Sequence, residues 1–249
     1  MSSQVTGQHN VQDWTRRYLG LPLLEARPPL WLEESYRAFE AIVADDRYPC
    51  YFGTRALRED LYVTGVEATH LESLPEIIAA FVEISRSIKR RNNLAVFFRP
   101  LPLQTEHVEY QELFWRALQY LHDRDPLPEA VPAITVDDPH WEFPFAGEQF
   151  FVVAASPSYR NRRSRNLGPS FVMIFQPRDV FDGADTREPL NTAARETIRK
   201  RLTEWDRIGP HPELGTFGDP DNREWRQYFL PDDADRGRGK CPLRMHIAR

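Results

Sequence analysis

Residues 140–177 read HWEFPFAGEQFFVVAASPSYRNRRSRNLGPSFVMIFQP, and this stretch decides the fold. Two apolar runs within it, 150–155 and 170–176, are rich in Phe and Val, which pack well on a pleated surface. They predict two buried strands, and residues 141–145 predict a third strand just before them. Because no helix separates these three segments, we expect a sheet that is at least partly antiparallel.

The segment between the two apolar runs is strongly basic. It contains Arg160, Arg162, Arg163 and Arg165 within six residues. Guanidinium groups bind planar anions through two parallel hydrogen bonds, so this arginine loop (residues 160–165) suits phosphates, carboxylates or haem propionates. The alternative interpretation is a basic loop exposed to solvent.

The composition is that of a globular protein with a sizeable core. The 249 residues are 41% hydrophobic and 12% aromatic, with a formal net charge of −5. The acidic total argues against general nucleic-acid binding, which depends on Lys and Arg. Two distant cysteines form no disulfide framework, and the polar start MSSQVTGQHN lacks a signal-peptide core. No apolar run approaches the ~20 residues of a membrane span, so we expect a cytoplasmic protein without membrane association.

Apolar spacing along the rest of the chain predicts alternating helices and strands. Helices are predicted over 14–21, 31–45, 74–90, 106–122 and 191–208, and strands over 61–66 and 94–99. Residues 222–230 predict a short helix or strand, and 179–189 a loop. The pattern indicates an α+β fold with a mixed, largely antiparallel sheet covered by helices. We expect a single domain over residues 31–249, preceded by an N-terminal extension over 1–30.

Common catalytic motifs are missing from the sequence. It has no Gly-rich phosphate loop, GxSxG elbow, HExxH or GxGxxG motif, and its seven histidines are scattered. No flavin or nicotinamide motif is found. The residues alone therefore predict an α+β protein with an anion-binding loop.

An ordered set of short motifs resembles the YqcI/YcgG family. The matching pieces are PCYFG (49–53), FFRPL (97–101), FWRALQYLHDRDP (114–126), HWEFPFAGEQFFVV (140–153), SPSYRNRRSR (156–165), IFQPRDVF (174–181), HPELGTFGD (211–219), NREWRQYFL (222–230) and KCPL (240–243). Two positions depart from the family pattern. Pro144 stands where relatives commonly carry Cys, and Tyr159 where they often carry His.

The resemblance implies a haem-dependent N-hydroxylase that acts on arginine or another guanidino or amino compound in natural-product biosynthesis. It implies haem b, dioxygen and an external electron donor. Two alternatives stay open. One is a non-catalytic haem sensor or carrier, and the other is a haem-free protein that binds an anionic ligand at the arginine loop. The many aromatic residues could supply a homodimer interface.

Haem iron needs one axial protein ligand and an open distal side. On this resemblance we favour His122, because the end of a helix would fix its ring. The alternatives are His211 and His140, followed by Cys50 and Tyr159.

The resemblance also assigns roles to charged and aromatic residues. The propionates would pair with the arginine loop, namely Arg160, Arg162, Arg163 and Arg165. A guanidinium substrate needs a carboxylate, for which the candidates in order are Glu224, Glu142 and Glu148. The substrate α-carboxylate would meet Arg226 or Arg99. Trp115, on the helix face of His122, joins Glu224 as a catalytic candidate.

Overall fold

The computed structural model describes residues 17–20, 27–59, 61–88, 92–178, 192–236 and 239–245. The elements in chain order are α1 (Leu30–Val43), α2 (Tyr51–Glu59), β1 (Leu61–Val66), α3 (Leu74–Ile88), β2 (Asn93–Phe98), α4 (His107–His122), β3 (Phe143–Phe145), β4 (Glu148–Ala155), a 3-10 turn (Arg163–Arg165), β5 (Val172–Pro177), α5 (Thr192–Trp205) and α6 (Trp225–Tyr228). The described helices and strands confirm the predicted α+β class.

Five strands form one mixed sheet in the order β1-β2-β5-β4-β3. β1 and β2 are parallel, which requires the crossover that α3 provides. The β2–β5, β5–β4 and β4–β3 pairs are antiparallel. For β3–β4 and β4–β5 this is expected, because each pair is joined without an α-helix. The two apolar runs of the opening stretch lie beside each other as β4 and β5.

Both faces of the sheet are covered, which explains why β2 is apolar and buried after its first residue, Asn93. One face packs against α3 and α4 through buried side chains such as Phe98 and Phe150. The other face packs against α1, where the Phe39 and Phe97 ring centroids are 5.4 Å apart, edge to face. The described part of the chain thus forms three layers, with the sheet between two layers of helices.

The turn between β3 and β4 fixes the sheet edge that carries the candidate site. Ala146 and Gly147 both have positive φ angles, 52° and 73°, as in a two-residue hairpin turn. The Asp125 carboxylate accepts the Ala146 N–H at 2.8 Å, and Arg86 donates to the Gly147 carbonyl at 2.8 Å. Residues of α3 and of the segment after α4 therefore hold the turn in place.

The main departure from the predicted elements is α2. The sequence predicts no helix directly after Pro49. The structure has a nine-residue helix that begins two residues after this proline, and its low mean hydropathy gives little sequence signal. Residues 222–230 contain a single helical turn, α6, rather than a longer element. The predicted helix 14–21 falls largely outside the described residues, as does the predicted loop 179–189. No helix in the described ranges is long and apolar enough to cross a membrane.

Candidate functional site

A single helical turn, α6, organises the candidate site. Its Tyr228 is fully buried, and its hydroxyl donates to the Phe150 carbonyl at 3.0 Å and accepts the Phe143 N–H at 3.0 Å. Phe143 and Phe150 are partners in the β3–β4 register, so the hydroxyl bridges the two strands there. This contact fixes α6 against the sheet edge and sets the positions of Glu224 and Trp225.

The arginine loop holds the chain that follows α6. Arg165 donates to the carbonyls of Ala154 at 3.0 Å, Tyr228 at 3.2 Å and Gln227 at 3.2 Å. Arg162 is 2% exposed and donates to the carbonyls of Pro231 at 2.8 Å, Gly209 at 3.1 Å and Asp233. Both guanidinium groups therefore bind main-chain carbonyls, not an exposed anion site.

The main chain of the same loop binds an internal anion. The Asp232 carboxylate accepts the N–H groups of Arg160 at 2.8 Å, Asn161 at 3.0 Å and Arg162 at 2.8 Å. Successive N–H groups that converge on one carboxylate form an anion nest. The sequence predicted an anion site made of the guanidinium groups of this loop, whereas the anion in the structure is the protein's own Asp232, bound by main-chain N–H groups.

Two predicted substrate-binding carboxylates come together beside α6. Glu142 is 1% exposed and Glu224 is 5% exposed. Arg178 Nη1 lies 3.3 Å from Glu142 Oε1, and the positive charge of Arg178 also acts on Glu224. Burial raises the pKa of the Tyr228 phenol, and the charges of both carboxylates raise it further. We call Glu142, Arg178 and Glu224 the carboxylate cluster.

The Glu224 carboxyl is unusual because burial raises its pKa from 4.5 to about 7. Opposing this shift are a hydrogen bond from Asn222 Nδ2 and the charges of Arg178 and Arg195. Asn222 is itself held by Gln227, whose Nε2 donates to Asn222 Oδ1 at 3.0 Å. The Glu224 carboxyl therefore gains or loses its proton near neutral pH. A modest change in its surroundings is enough to shift this equilibrium.

This raised pKa makes the stability of the fold depend on pH. The unfolded chain ionises Glu224 near 4.5 and the folded chain near 7, so stability is lost as pH rises between these values. We expect Glu224→Gln to match the native protein near pH 4 and to exceed it by up to about 3 kcal/mol near pH 8. Urea unfolding at a series of pH values measures this difference. The exposed Glu204→Gln on α5 is the control, and parallel curves for E224Q and the native protein would contradict the prediction.

A loop over residues 211–219 covers the carboxylate cluster. Phe217 lies beneath Arg178, whose guanidinium carbon is 3.6 Å from the ring centroid. Two arginines of α5 hold the loop, since Arg195 donates to Thr216 Oγ1 and Arg199 donates to the Leu214 carbonyl. Gly215 lies so close to the Asn222 side chain that a Cβ atom would collide with it. The covering loop therefore helps to set the position of Asn222, and through it Glu224.

Gly218 makes the close approach of this loop testable. Its φ is +80°, and a Cβ atom there would lie 3.0 Å from His140 Nε2. We expect Gly218→Ala to lower the free energy of unfolding by about 1–2 kcal/mol through backbone strain and crowding. The control is Gly209→Ala, because a Cβ at Gly209 meets nothing within 4 Å. Urea unfolding of both variants measures the effect, and equal stabilities would refute it.

Two tryptophans lie beside the cluster. The ring centroids of Trp115 and Trp225 are 6.3 Å apart in an edge-to-face arrangement. Within the described ranges, neither indole N–H has a hydrogen-bond acceptor, although both nitrogen atoms are buried. Trp115 also lines a cleft of about 430 Å³ on the outer side of α4. Trp115 was a predicted catalytic residue, and the fold brings it next to the residue that follows Glu224.

A family model described as the YqcI/YcgG family matches residues 39–244. The chain belongs to the YqcI/YcgG family. It is 36% identical over 237 residues to the uncharacterized protein YcgG of Bacillus subtilis, covering 90% of this chain and 92% of the relative. It is 33% identical over 227 residues to YqcI of the same organism, covering 86% and 88%.

A third relative of this YqcI/YcgG protein carries a functional name. It is the putative N(omega)-hydroxy-L-arginine synthase DcsA of Streptomyces lavendulae, 29% identical over 224 residues, covering 86% of this chain and 84% of the relative. No solved structure matches the chain.

Several of the predicted axial ligands already contact other groups of the protein. His211 Nδ1 accepts the Glu213 N–H at 3.1 Å, so its Nε2 donates to the Asp235 carbonyl at 3.1 Å. The buried Tyr159 hydroxyl donates to the Leu230 carbonyl at 2.6 Å. His140 is exposed beside Asp138, and Cys50 packs with the α1 side of the sheet.

The favoured axial ligand of the sequence analysis, His122, lies at the end of α4 and also interacts with another group of the protein. It is half-buried on the last turn of α4, on the helix side that carries Trp115. The propionate role fits less well, because Arg162 and Arg165 could take it only by exchanging their present carbonyl acceptors. Among the described residues, no three His, Cys, Asp or Glu side chains cluster in a way that would hold a metal ion.

The remaining predicted site residues form ion pairs or ring contacts with other side chains. Arg99 lies 3.2 Å from Glu67, and Glu148 lies 4.0 Å from Arg86. Arg226 stacks on Trp225 at 4.7 Å and lies 3.7 Å from Glu213.

Three residues of the site, Arg178, Phe217 and Asn222, were not among the predicted site residues. Each lies within one of the matching motifs, IFQPRDVF, HPELGTFGD and NREWRQYFL, which was the available signal.

Proposed function

We propose that this protein is an N-hydroxylase that acts on the guanidino group of arginine or a close analogue. The observation that carries the proposal is the carboxylate cluster, where a guanidinium already lies against a buried carboxylate and an aromatic ring. Arg178 is 3.3 Å from Glu142 and 3.6 Å from the Phe217 centroid. Carboxylate pairing and ring stacking are the contacts that a guanidino substrate would use. The name of the relative from Streptomyces lavendulae supports the same chemistry.

Glu224 would bind the substrate. Its carboxylate, ionised, would accept N–H bonds from the incoming guanidinium, and the positive charge would draw its pKa down from about 7. The Asn222 side chain would hold the carboxylate in one orientation. Trp115 and Trp225 would exclude water from the bound group, which strengthens the charge pairing.

Haem b is part of the proposal, and His122 would be the residue that holds its iron. When bound, haem would supply the reductive activation of dioxygen. The overall reaction consumes dioxygen, two electrons and two protons, and it leaves one oxygen atom on the guanidino nitrogen and the other in water. An external donor would supply the electrons. An N-hydroxylated arginine would serve as a building block in natural-product biosynthesis.

The test is a visible spectrum of protein produced with a haem precursor, recorded before and after addition of L-arginine. We expect a Soret band that shifts with arginine and not with L-lysine, which lacks the guanidino group. Product analysis should then find arginine with one added oxygen atom when dioxygen and a reductant are present. His122→Ala should lose or shift the band without arginine.

Each failure has a separate meaning. A shift without product would favour a haem sensor. Arginine binding without a Soret band would remove haem from the proposal, and no response to arginine would overturn the substrate class.

A further inference from the structure

The Arg178 side chain fills a site of the kind that a guanidino substrate needs. Its Nη1 lies 3.3 Å from Glu142 Oε1, and its guanidinium carbon lies 3.6 Å from the centroid of the Phe217 ring. A carboxylate at the edge of the planar group and an aromatic ring against its face are the contacts that recognise a guanidinium. The carboxylate cluster therefore contains a guanidinium site whose occupant is part of the chain.

The walls of this site are held by contacts that do not involve Arg178. The strand residue after Glu142 is fixed by the Tyr228 hydroxyl, which accepts its N–H at 3.0 Å. The covering loop that carries Phe217 is bound through the Gly218 N–H, which donates to the Pro139 carbonyl at 3.1 Å. Two arginines of α5 hold the same loop. The carboxylate and the ring can therefore keep their places when the Arg178 side chain moves out.

Only the side chain of Arg178 has to move for the site to open. Its main chain continues the pairing of β5 with β4, because the Arg178 N–H donates to the Gln149 carbonyl at 2.8 Å. The Arg178 side chain is 20% exposed, whereas that of Glu142 is 1% exposed. The arginine side chain thus reaches solvent, and a change of rotamer can carry it outward while the strand stays in place.

The charge of Arg178 opposes a second guanidinium beside it. This charge acts on Glu224 as well as on Glu142. Both carboxylates are buried, so little water would screen two like charges held against them. Exchange of one guanidinium for the other avoids this repulsion and leaves two carboxylates for the incoming group.

We propose that Arg178 is an internal stand-in for the substrate, whose guanidino group displaces it from Glu142 and Phe217. The proposal rests on the proposed function and deepens it, because it adds Glu142 and Phe217 to the substrate contact at Glu224. Arg178 is then an internal competitor. A ligand with a planar guanidinium replaces it more effectively than a simple amine does.

The test compares the native protein with Arg178→Ala, both produced with haem supplied. Arg178→Ala should bind L-arginine at least about tenfold more tightly in titration calorimetry, because the site is no longer occupied by the chain itself. Methylguanidinium chloride at about 5 mM should raise the midpoint of urea unfolding of Arg178→Ala and leave that of the native protein unchanged. Ethylammonium chloride at the same concentration, a cation without the planar fork, should have a much smaller effect.

The matched control is Arg37→Ala. Arg37 also forms an ion pair, 3.6 Å from Glu33, but it lies on the exposed side of α1. Its affinity for arginine and its response to methylguanidinium should equal those of the native protein. Arg178→Gln, which can still donate a hydrogen bond to Glu142, replaces the alanine variant if that variant does not fold.

The failures are distinguishable. If Arg178→Ala binds arginine no more tightly than the native protein, Arg178 does not compete with the substrate, and the proposed function stands without it. If ethylammonium stabilises Arg178→Ala as much as methylguanidinium does, only a charge has been removed and the stand-in role is wrong. If methylguanidinium stabilises this variant but neither protein binds arginine, the stand-in role is supported and arginine is overturned as the substrate.

Discussion

Glu224→Gln is expected to lower the affinity for arginine about 100-fold near pH 8, with a similar loss in kcat/KM. Glu224 is 5% exposed, so little water surrounds its carboxylate. When the Glu224 charge is removed, water therefore cannot replace it as the partner of the bound guanidinium. A loss of this size corresponds to about 2.7 kcal/mol, within the range for a buried charge-assisted pair. Gln keeps the shape and can still accept the Asn222 hydrogen bond, so the fold should persist.

The pH dependence separates this role from a general loss of structure. Because the Glu224 pKa is raised to about 7, arginine should bind the native protein more tightly as pH rises through that value. In E224Q this dependence should vanish. Glu148→Gln is the matched control, since Glu148 was also a predicted substrate carboxylate but lies near Arg86. Titration calorimetry across pH measures both variants, and an equal loss in E148Q would refute the assignment.

Arg162→Met is expected to lower the free energy of unfolding by about 4 kcal/mol. Arg162 is almost fully buried and donates to three main-chain carbonyls on the segments that follow α5 and α6. Methionine fills much of the same space but cannot donate to these carbonyls, so three hydrogen bonds from a charged donor are lost. The segment that carries Asp232 should loosen, and α6 with it.

The matched control is Arg163→Met in the same loop. Arg163 is exposed and lies 5.6 Å over the Trp205 ring, a contact worth no more than about 1 kcal/mol. Urea unfolding measures both variants, and haem content is measured in parallel. If Arg162→Met keeps the native stability but loses haem, the predicted propionate role would be correct and the structural role of Arg162 would be wrong.

The sequence predicted the strands well because their signal is local. The runs FFVVAA and FVMIFQP are apolar and rich in residues that suit a sheet, and they became β4 and β5. Helix α2 was missed because TRALRE is polar and the helix follows a proline, so its apolar signal is weak.

The sequence named some residues of the candidate site, but not the pairs that they form. Glu142 and Glu224 were proposed separately, and only the fold shows that Arg178 pairs with Glu142 while its charge also acts on Glu224. The arginine loop was expected to bind an anion, but its partner Asp232 lies about 70 positions further along the chain. Such pairings depend on the packing of α6 against the distant strands β3 and β4. The spacing of residues within one segment of the sequence does not predict this long-range contact.

The two edges of the sheet limit how copies of this protein can associate. At β1, Leu19 donates its N–H to the Val63 carbonyl at 2.8 Å, and Thr64 Oγ1 donates to the Leu19 carbonyl at 2.6 Å, so residues 17–20 occupy part of that edge. At the other edge, β3 has three residues, and Pro144 offers no N–H donor. Strand addition from another molecule, the usual route to edge-to-edge aggregation, is therefore disfavoured at both ends of the described sheet.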